Sequence, residues 1–178
     1  KLEELGIVFV SIFGGEPTLP PRLVDMIKYA RLKNRKVYLS TDLTCVEIEY
    51  LKEIIKTGVD IISFSLDKAE PAGWNRRATS TVDNQLDALL ALKSKRYNFT
   101  IHCNVTWHKE NLTEGKKLIE YLHEKRNIGI SVRPAVYPFP TPKTLEQAKT
   151  LLLGPEDYER VKDLITWVIK KKRQGYLI

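Results

Sequence analysis

Cysteine is scarce in this chain: two in 178 residues, Cys45 and Cys103. A pair so widely separated makes no disulfide framework and has no close metal-ligand spacing. Long hydrophobic runs are missing too. No apolar stretch approaches a membrane span, and no secretory leader precedes the first apolar segment. The sequence thus predicts a cytoplasmic protein without a membrane span. Internal repeats and low-complexity tracts are absent, and so is a glycine-rich phosphate loop after the later apolar segments. What remains is ordinary globular composition, 43% hydrophobic and 29% charged, in a chain long enough to bury one core.

The formal net charge is +7, and its plainest cluster is Lys170, Lys171, Lys172 and Arg173. Cations at the end of a helix complement its dipole and solvate its surface, so the cluster does not by itself argue for nucleic acid. The chain enters a strand within six residues of Lys1. It stops at Gly175–Ile178, which reads as a helix terminator and the start of another strand. The expectation is a fragment of a longer protein.

Strand and helix patterns alternate along the chain. Gly6–Phe13, Val37–Thr41, Val59–Leu66, Asn98–Thr106 and Gly129–Val136 read as strands. Between them lie helix signals. Pro20 and Pro21 open an apolar series at Leu23, Met26, Ile27 and Ala30. Thr44 with Glu47 forms a capping-box pattern, as do Ser80 with Asp83 and Asn111 with Glu114. A proline-rich connection, 134–142, leads to a last helix with Pro155 in its first turn. Such alternation implies a parallel α/β sheet with right-handed crossovers. The expected division is 1–142 for the sheet unit and 143–178 for a helical extension. Asn98, Asn104 and Asn111 each begin an N-x-T triplet, read here as coincidence.

The later strands carry one polar face. Ser63, Ser65 and Asp67 alternate with Ile62, Phe64 and Leu66. Thr100, His102, Asn104 and Thr106 alternate with Phe99, Ile101, Cys103 and Val105. Ser131 and Arg133 alternate with Ile130 and Val132. A doubly wound sheet is apolar on both faces, and a closed barrel fills its interior with apolar side chains. The pattern instead fits a curved, partly open barrel that holds a polar ligand on its concave side. Glu16, Thr41, Asp67, Asn104 and Arg133 fall near the carboxyl ends of the strands, where parallel sheets place their sites. Each has a plainer reading. Gly14-Gly15 makes a tight turn, Glu16 is a first-turn helix acid, Asp67 caps a turn, and His102 is a hydrogen-bonded core residue. Arg133 is harder to dismiss, because a buried guanidinium is costly without an anion. Trp74, Trp107 and Trp167 read as packing residues.

Gly14-Gly15-Glu16-Pro17 resembles the GGEP motif of radical S-adenosylmethionine (SAM) enzymes, and Ser65-Leu66-Asp67 resembles the SLD that ends a later strand there. Ser40-Thr41-Asp42 stands in the place of the family's T-N-G, with Leu43 where the glycine is usual. The resemblance runs strand for strand over nearly the whole chain. It is closest to the branch of molybdenum-cofactor, peptide-modifying and hopanoid-type enzymes. It implies a parallel (β/α) partial TIM-type barrel, comprising strands two to six of a six-stranded core.

The resemblance further implies that Gly14, Gly15, Glu16 and Pro17 form the SAM corner, with Glu16 and nearby carbonyls receiving the amino group. Thr41, Ser65, Asp67 and Asn104 fall on other cofactor-facing positions, and Arg133 becomes a candidate for the SAM carboxylate. The adenine would meet residues 132–135. It implies two cofactors, SAM and a [4Fe–4S] cluster, and an electron donor such as flavodoxin or ferredoxin. The family's C-x3-C-x2-C loop is not in this sequence, so the cluster ligands would lie outside it and no metal-binding residue is named. The expected function is a radical SAM enzyme, an oxidoreductase or transferase, forming a 5′-deoxyadenosyl radical. That radical would abstract hydrogen from an unknown small molecule, peptide or RNA. The alternative is a non-catalytic radical-SAM-like binding or assembly domain; an unrelated barrel binding a phosphorylated metabolite ranks last.

Overall fold

The computed structural model describes residues 4–66, 79–95, 97–125, 128–135 and 151–178. Five parallel strands, β1 (Phe9–Ile12), β2 (Lys36–Ser40), β3 (Ile61–Ser65), β4 (Thr100–Trp107) and β5 (Ile128–Pro134), lie in the order β1-β2-β3-β4-β5. The intervening helices are α1 (Leu23–Leu32), α2 (Ile48–Lys56), α3 (Thr79–Lys95) and α4 (Gly115–Glu124). A short 3₁₀ turn, Pro155–Asp157, leads into α5 (Tyr158–Arg173). This strictly sequential order decides the shape. Right-handed crossovers in one unbroken direction place successive helices on the same side of the sheet. A doubly wound sheet would reverse direction at a switch point. The sheet is an α/β partial barrel, with β1 at one edge and β5 paired to β4 at the other.

Period-two alternation sorts the strand residues between the two sides. Val37, Leu39, Ile62, Phe64, Ile101, Cys103 and Val105 are wholly buried. They belong to one core with Ile27, Leu51, Ile54, Leu86, Leu89, Leu118 and Leu122 of the helices. Each such side chain contributes about 1.5–3 kcal/mol by leaving water. Tyr38, Ser40, His102, Asn104, Thr106 and Ser131 on the other side are only half-buried. Leu164 and Val168 of α5 join the same core. The expected boundary at residue 142 lies outside the described residues.

Three local expectations change. Helix α2 starts at Ile48, not at a Thr44/Glu47 capping box; its N-cap residue Glu47 makes no side-chain cap bond. The Thr44 N–H donates instead to Asp42 Oδ1 at 2.9 Å. Asn111 does not cap α4 either. Its Oδ1 accepts the His108 N–H (2.8 Å) and its Nδ2 donates to the Thr106 carbonyl (2.7 Å), which fixes the turn leaving β4. Met26 is 53% exposed, whereas Leu23, Val24, Ile27 and Ala30 form the buried stripe of α1. Of the terminal reading the helix stop is seen, while residues 176–178 form no strand. Gly175 takes φ +95° just past α5, and the Ile130 N–H donates to the Leu177 carbonyl at 2.7 Å, a single bond on the outer edge of β5.

Candidate functional site

The register of the strands aligns the polar residues in rows across the sheet. Ser40, Ser63, His102 and Gly129 form one row, and Ser65, Asn104 and Ser131 the next toward the carboxyl ends. Thr106 and Arg133 stand one step further on. Asn104 Nδ2 donates to Ser63 Oγ at 2.8 Å, and His102 Nε2 lies 2.9 Å from Ser131 Oγ. Burial, and secondarily the nearby Arg133 charge, hold the His102 pKa below its ordinary value of 6.5, so the imidazole is neutral at pH 7. Its ring lies where Gly129 has no side chain; a Cβ there would come within 3.0 Å of His102 Nδ1.

The GGEP corner follows β1. Gly14 and Gly15 adopt φ +97° and +55°, and a Cβ at either would meet nothing within 4 Å. Glycine is needed there for the left-handed backbone rather than for lack of room. Any larger side chain would stand in the open space. The next residue turns its side chain back to the protein. Glu16 Oε1 accepts the Thr18 N–H (3.0 Å), the Thr18 hydroxyl (2.6 Å) and the Thr41 hydroxyl (2.7 Å), while Oε2 accepts the Asp42 N–H (2.7 Å). Thr18 and Thr41 are buried, at 7% and 5% exposure. One carboxylate therefore ties the loop after β1 to the loop after β2.

The second loop holds its turn without a glycine. Leu43 takes φ +61° while remaining fully buried. Its N–H donates to Thr41 Oγ1 (3.1 Å), the same hydroxyl that donates to Glu16. Burial of the leucine side chain offsets a left-handed conformation that costs about 1–2 kcal/mol.

Between the two loops opens a small cleft of about 110 Å³, lined by Gly14, Gly15, Ser40, Thr41, Asp42 and Ser65. Of the residues expected from sequence, Gly14, Gly15, Thr41 and Ser65 meet here. Glu16 braces the cleft from behind, and Pro17 is buried beside it. Asn104 pairs with Ser65 on the neighbouring strand. Arg133 is exposed, contrary to the buried guanidinium expected, and stands on β5, two strands from Ser65. Asp67 lies outside the described residues, as does Trp74. Sequence reading missed Ser40 and Asp42 as lining residues. The signal for both was their place beside Thr41 at the carboxyl end of β2.

The cleft's lining of hydroxyls, one carboxylate and open backbone fits a polar ligand. No group of three His, Cys, Asp or Glu side chains is placed to hold a metal among the described residues. Cys45 is exposed and Cys103 is buried under the sheet. No helix among the described residues is long and apolar enough to cross a membrane.

Sequentially ordered parallel strands, with a glycine-cornered polar cleft at their carboxyl ends, define a partial (β/α) barrel open at the end where such folds place their sites. Residues 1–122 match the family model of the radical SAM superfamily, and the chain belongs to that superfamily. SAM and a [4Fe–4S] cluster are the cofactors this membership implies. The chain is 30% identical over 142 residues to the tungsten-containing aldehyde ferredoxin oxidoreductase cofactor-modifying protein of Pyrococcus furiosus, covering 73% of this chain and 37% of that protein. It is 29% identical over 121 residues to a PqqA peptide cyclase of Streptomyces rochei, covering 67% and 33%. With the AdoMet-dependent heme synthase of Methanosarcina barkeri it shares 26% identity over 177 residues, covering 98% and 48%. The chain thus spans between a third and a half of these curated relatives. Among solved structures, Streptococcus suis SuiB bound to S-adenosylmethionine superposes with a TM-score of 0.66 at 16% identity, covering 97% of this chain and 37% of that one. That likeness bears on the fold.

Proposed function

We propose that this chain is the SAM-binding part of a radical SAM enzyme. The observation that carries the reading is the cleft itself. Two left-handed glycines open it, polar residues of β2, the following loop and β3 line it, and it sits at the carboxyl ends of the strands. Gly14 and Gly15 would let the backbone approach the methionine end of the ligand. Ser40, Thr41 and Ser65 supply hydroxyls, and the Ser65–Asn104 row extends the polar surface toward β5. One-electron cleavage of SAM to methionine and a 5′-deoxyadenosyl radical is the chemistry the cluster supplies when bound. The protein's own part is to orient SAM, exclude water and present substrate on the concave face. The substrate is a small molecule, peptide or RNA, and the electron donor a flavodoxin or ferredoxin.

The test is anaerobic reconstitution of the full-length protein with iron and sulfide, then dithionite and SAM, with 5′-deoxyadenosine as the readout. The expected result is product from wild type and none from Gly15→Val, whose side chain strains the turn and enters the cleft. A cluster-loaded protein that neither binds nor cleaves SAM would overturn the reading in favour of a non-catalytic domain.

A further inference from the structure

We propose that the end of the sheet opposite the cleft is a docking face for an anionic lipid bilayer. The inference stands apart from the SAM-binding reading and begins with where the net charge of +7 resides. Each helix between parallel strands returns the chain to the amino end of the next strand, so the helix C-termini gather at that end. Helix α5 finishes there with Lys170, Lys171, Lys172 and Arg173, α2 with Lys56, and α1 with Arg31. Lys33, Arg35 and Lys36 follow at the entry to β2. The acids at this end, Glu4, Glu53, Asp60 and Glu124, are outnumbered more than two to one among the described residues. Asp60 is shared by Arg31 and Lys36. Lys56, Lys170, Lys172 and Arg173 are exposed and form no ion pair among the described residues.

Helix dipoles account for cations at each C-terminus, but not for aliphatic side chains standing among them. Leu32, the last residue of α1, is 80% exposed, and Leu5, Val8, Ile169 and Leu177 are exposed at the same end. The starts of the five strands are staggered by only three residues along the register, so these ends make one broad face. Helices packed about 8–10 Å apart spread the cations across it from α1 to α5. A nucleic-acid strand is narrow, would cover only part of such a face, and offers nothing to the leucines. A bilayer of acidic lipids meets it whole. Its phosphates take the ammonium and guanidinium groups, and the aliphatic side chains enter the interface. Docked this way, the protein holds its cleft on the side away from the lipid.

Co-sedimentation of the full-length protein with sucrose-loaded vesicles tests the proposal. One preparation is phosphatidylcholine alone, and the other is equal parts phosphatidylcholine and phosphatidylglycerol. The protein should bind the acidic vesicles, release them as salt rises, and leave the neutral ones unbound. Each cation near an acidic membrane contributes about fivefold in affinity, so Lys170→Gln, Lys172→Gln and Arg173→Gln combined should weaken binding about 100-fold. Lys170→Arg with Lys172→Arg, which keeps the charge, should leave binding intact. The same loss of charge toward the other end, Lys116→Gln, Lys117→Gln and Lys162→Gln, lies more than a Debye length from the lipid and should change binding less than about twofold. Leu32→Ser should weaken binding about fivefold at unchanged charge. No binding to acidic vesicles at low salt, equal binding to both preparations, or equal weakening by the two triple variants overturns the proposal. Retention on poly(U) RNA under conditions that leave acidic vesicles unbound overturns it in favour of nucleic acid.

Discussion

Replacing Glu16 with alanine should destabilise the fold itself, not only ligand binding. The carboxylate receives two backbone N–H groups, from Thr18 and Asp42, and two hydroxyls, from Thr18 and Thr41. The hydroxyls can rotate to other acceptors, but the two N–H groups are fixed by their loops. Each stranded donor costs about 1–3 kcal/mol, so the expected loss is about 2–6 kcal/mol, near the lower value where water reaches the half-buried site. Against a typical total of about 5–15 kcal/mol that is a large fraction. With a slope near 2 kcal/mol/M it lowers the urea midpoint by about 1–3 M. Glu16→Gln keeps one oxygen for Thr18 and Thr41 but opposes an amide to the Asp42 N–H, so about half the loss is expected. Urea denaturation followed by circular dichroism measures both variants, and amide exchange at Asp42 reports the local release. A Glu16→Ala protein within about 0.5 kcal/mol of wild type, the usual scale of a surface substitution, would refute the idea that this carboxylate braces the two loops.

Two further outcomes concern the polar rows. The folded-state pKa of His102 is depressed, so as pH falls through 6.5 the unfolded chain takes up a proton before the folded one. Stability should fall from that point until the lower folded value is reached, with no contribution above pH 6.5. His102→Gln should flatten that part of the urea-midpoint profile, and Arg133→Gln should move the His102 titration upward by NMR. An unchanged profile in His102→Gln would sink the assignment. Gly129→Ala would place a Cβ 3.0 Å from His102 Nδ1, so the ring must shift by a few tenths of an ångström and strain its bond with Ser131. The expected cost is about 1–3 kcal/mol with altered His102 ring shifts, and unchanged shifts would mean that the strands absorb the methyl.

The alternation of apolar and polar residues carried most of the fold. A period of two in three segments sufficed to assign the buried and polar sides of β3, β4 and β5, because strand side chains must alternate. Helix starts were less legible. Thr44 and Asn111 are good capping residues by type, yet the structure uses them, or their neighbours, to pin the loops after β2 and β4. Short polar side chains satisfy whichever backbone group is closest, and that depends on the path of the chain.

The GGEP corner divides in the same way. Gly14 and Gly15 were fixed by sequence, since their positive φ angles suit glycine almost alone. Leu43 shows the reverse: a left-handed turn was hidden because core burial holds a leucine where local preference would choose glycine. The sequence also placed a carboxylate at the corner but could not say where it points. That direction was set by donors 25 and 26 residues away, Thr41 and Asp42, which become neighbours of Glu16 only when β1 and β2 pair in register. Backbone conformation is a local property that residue type can specify. Where that carboxylate points, and which loops it braces, is a property of strand pairing, and only the folded sheet decides it.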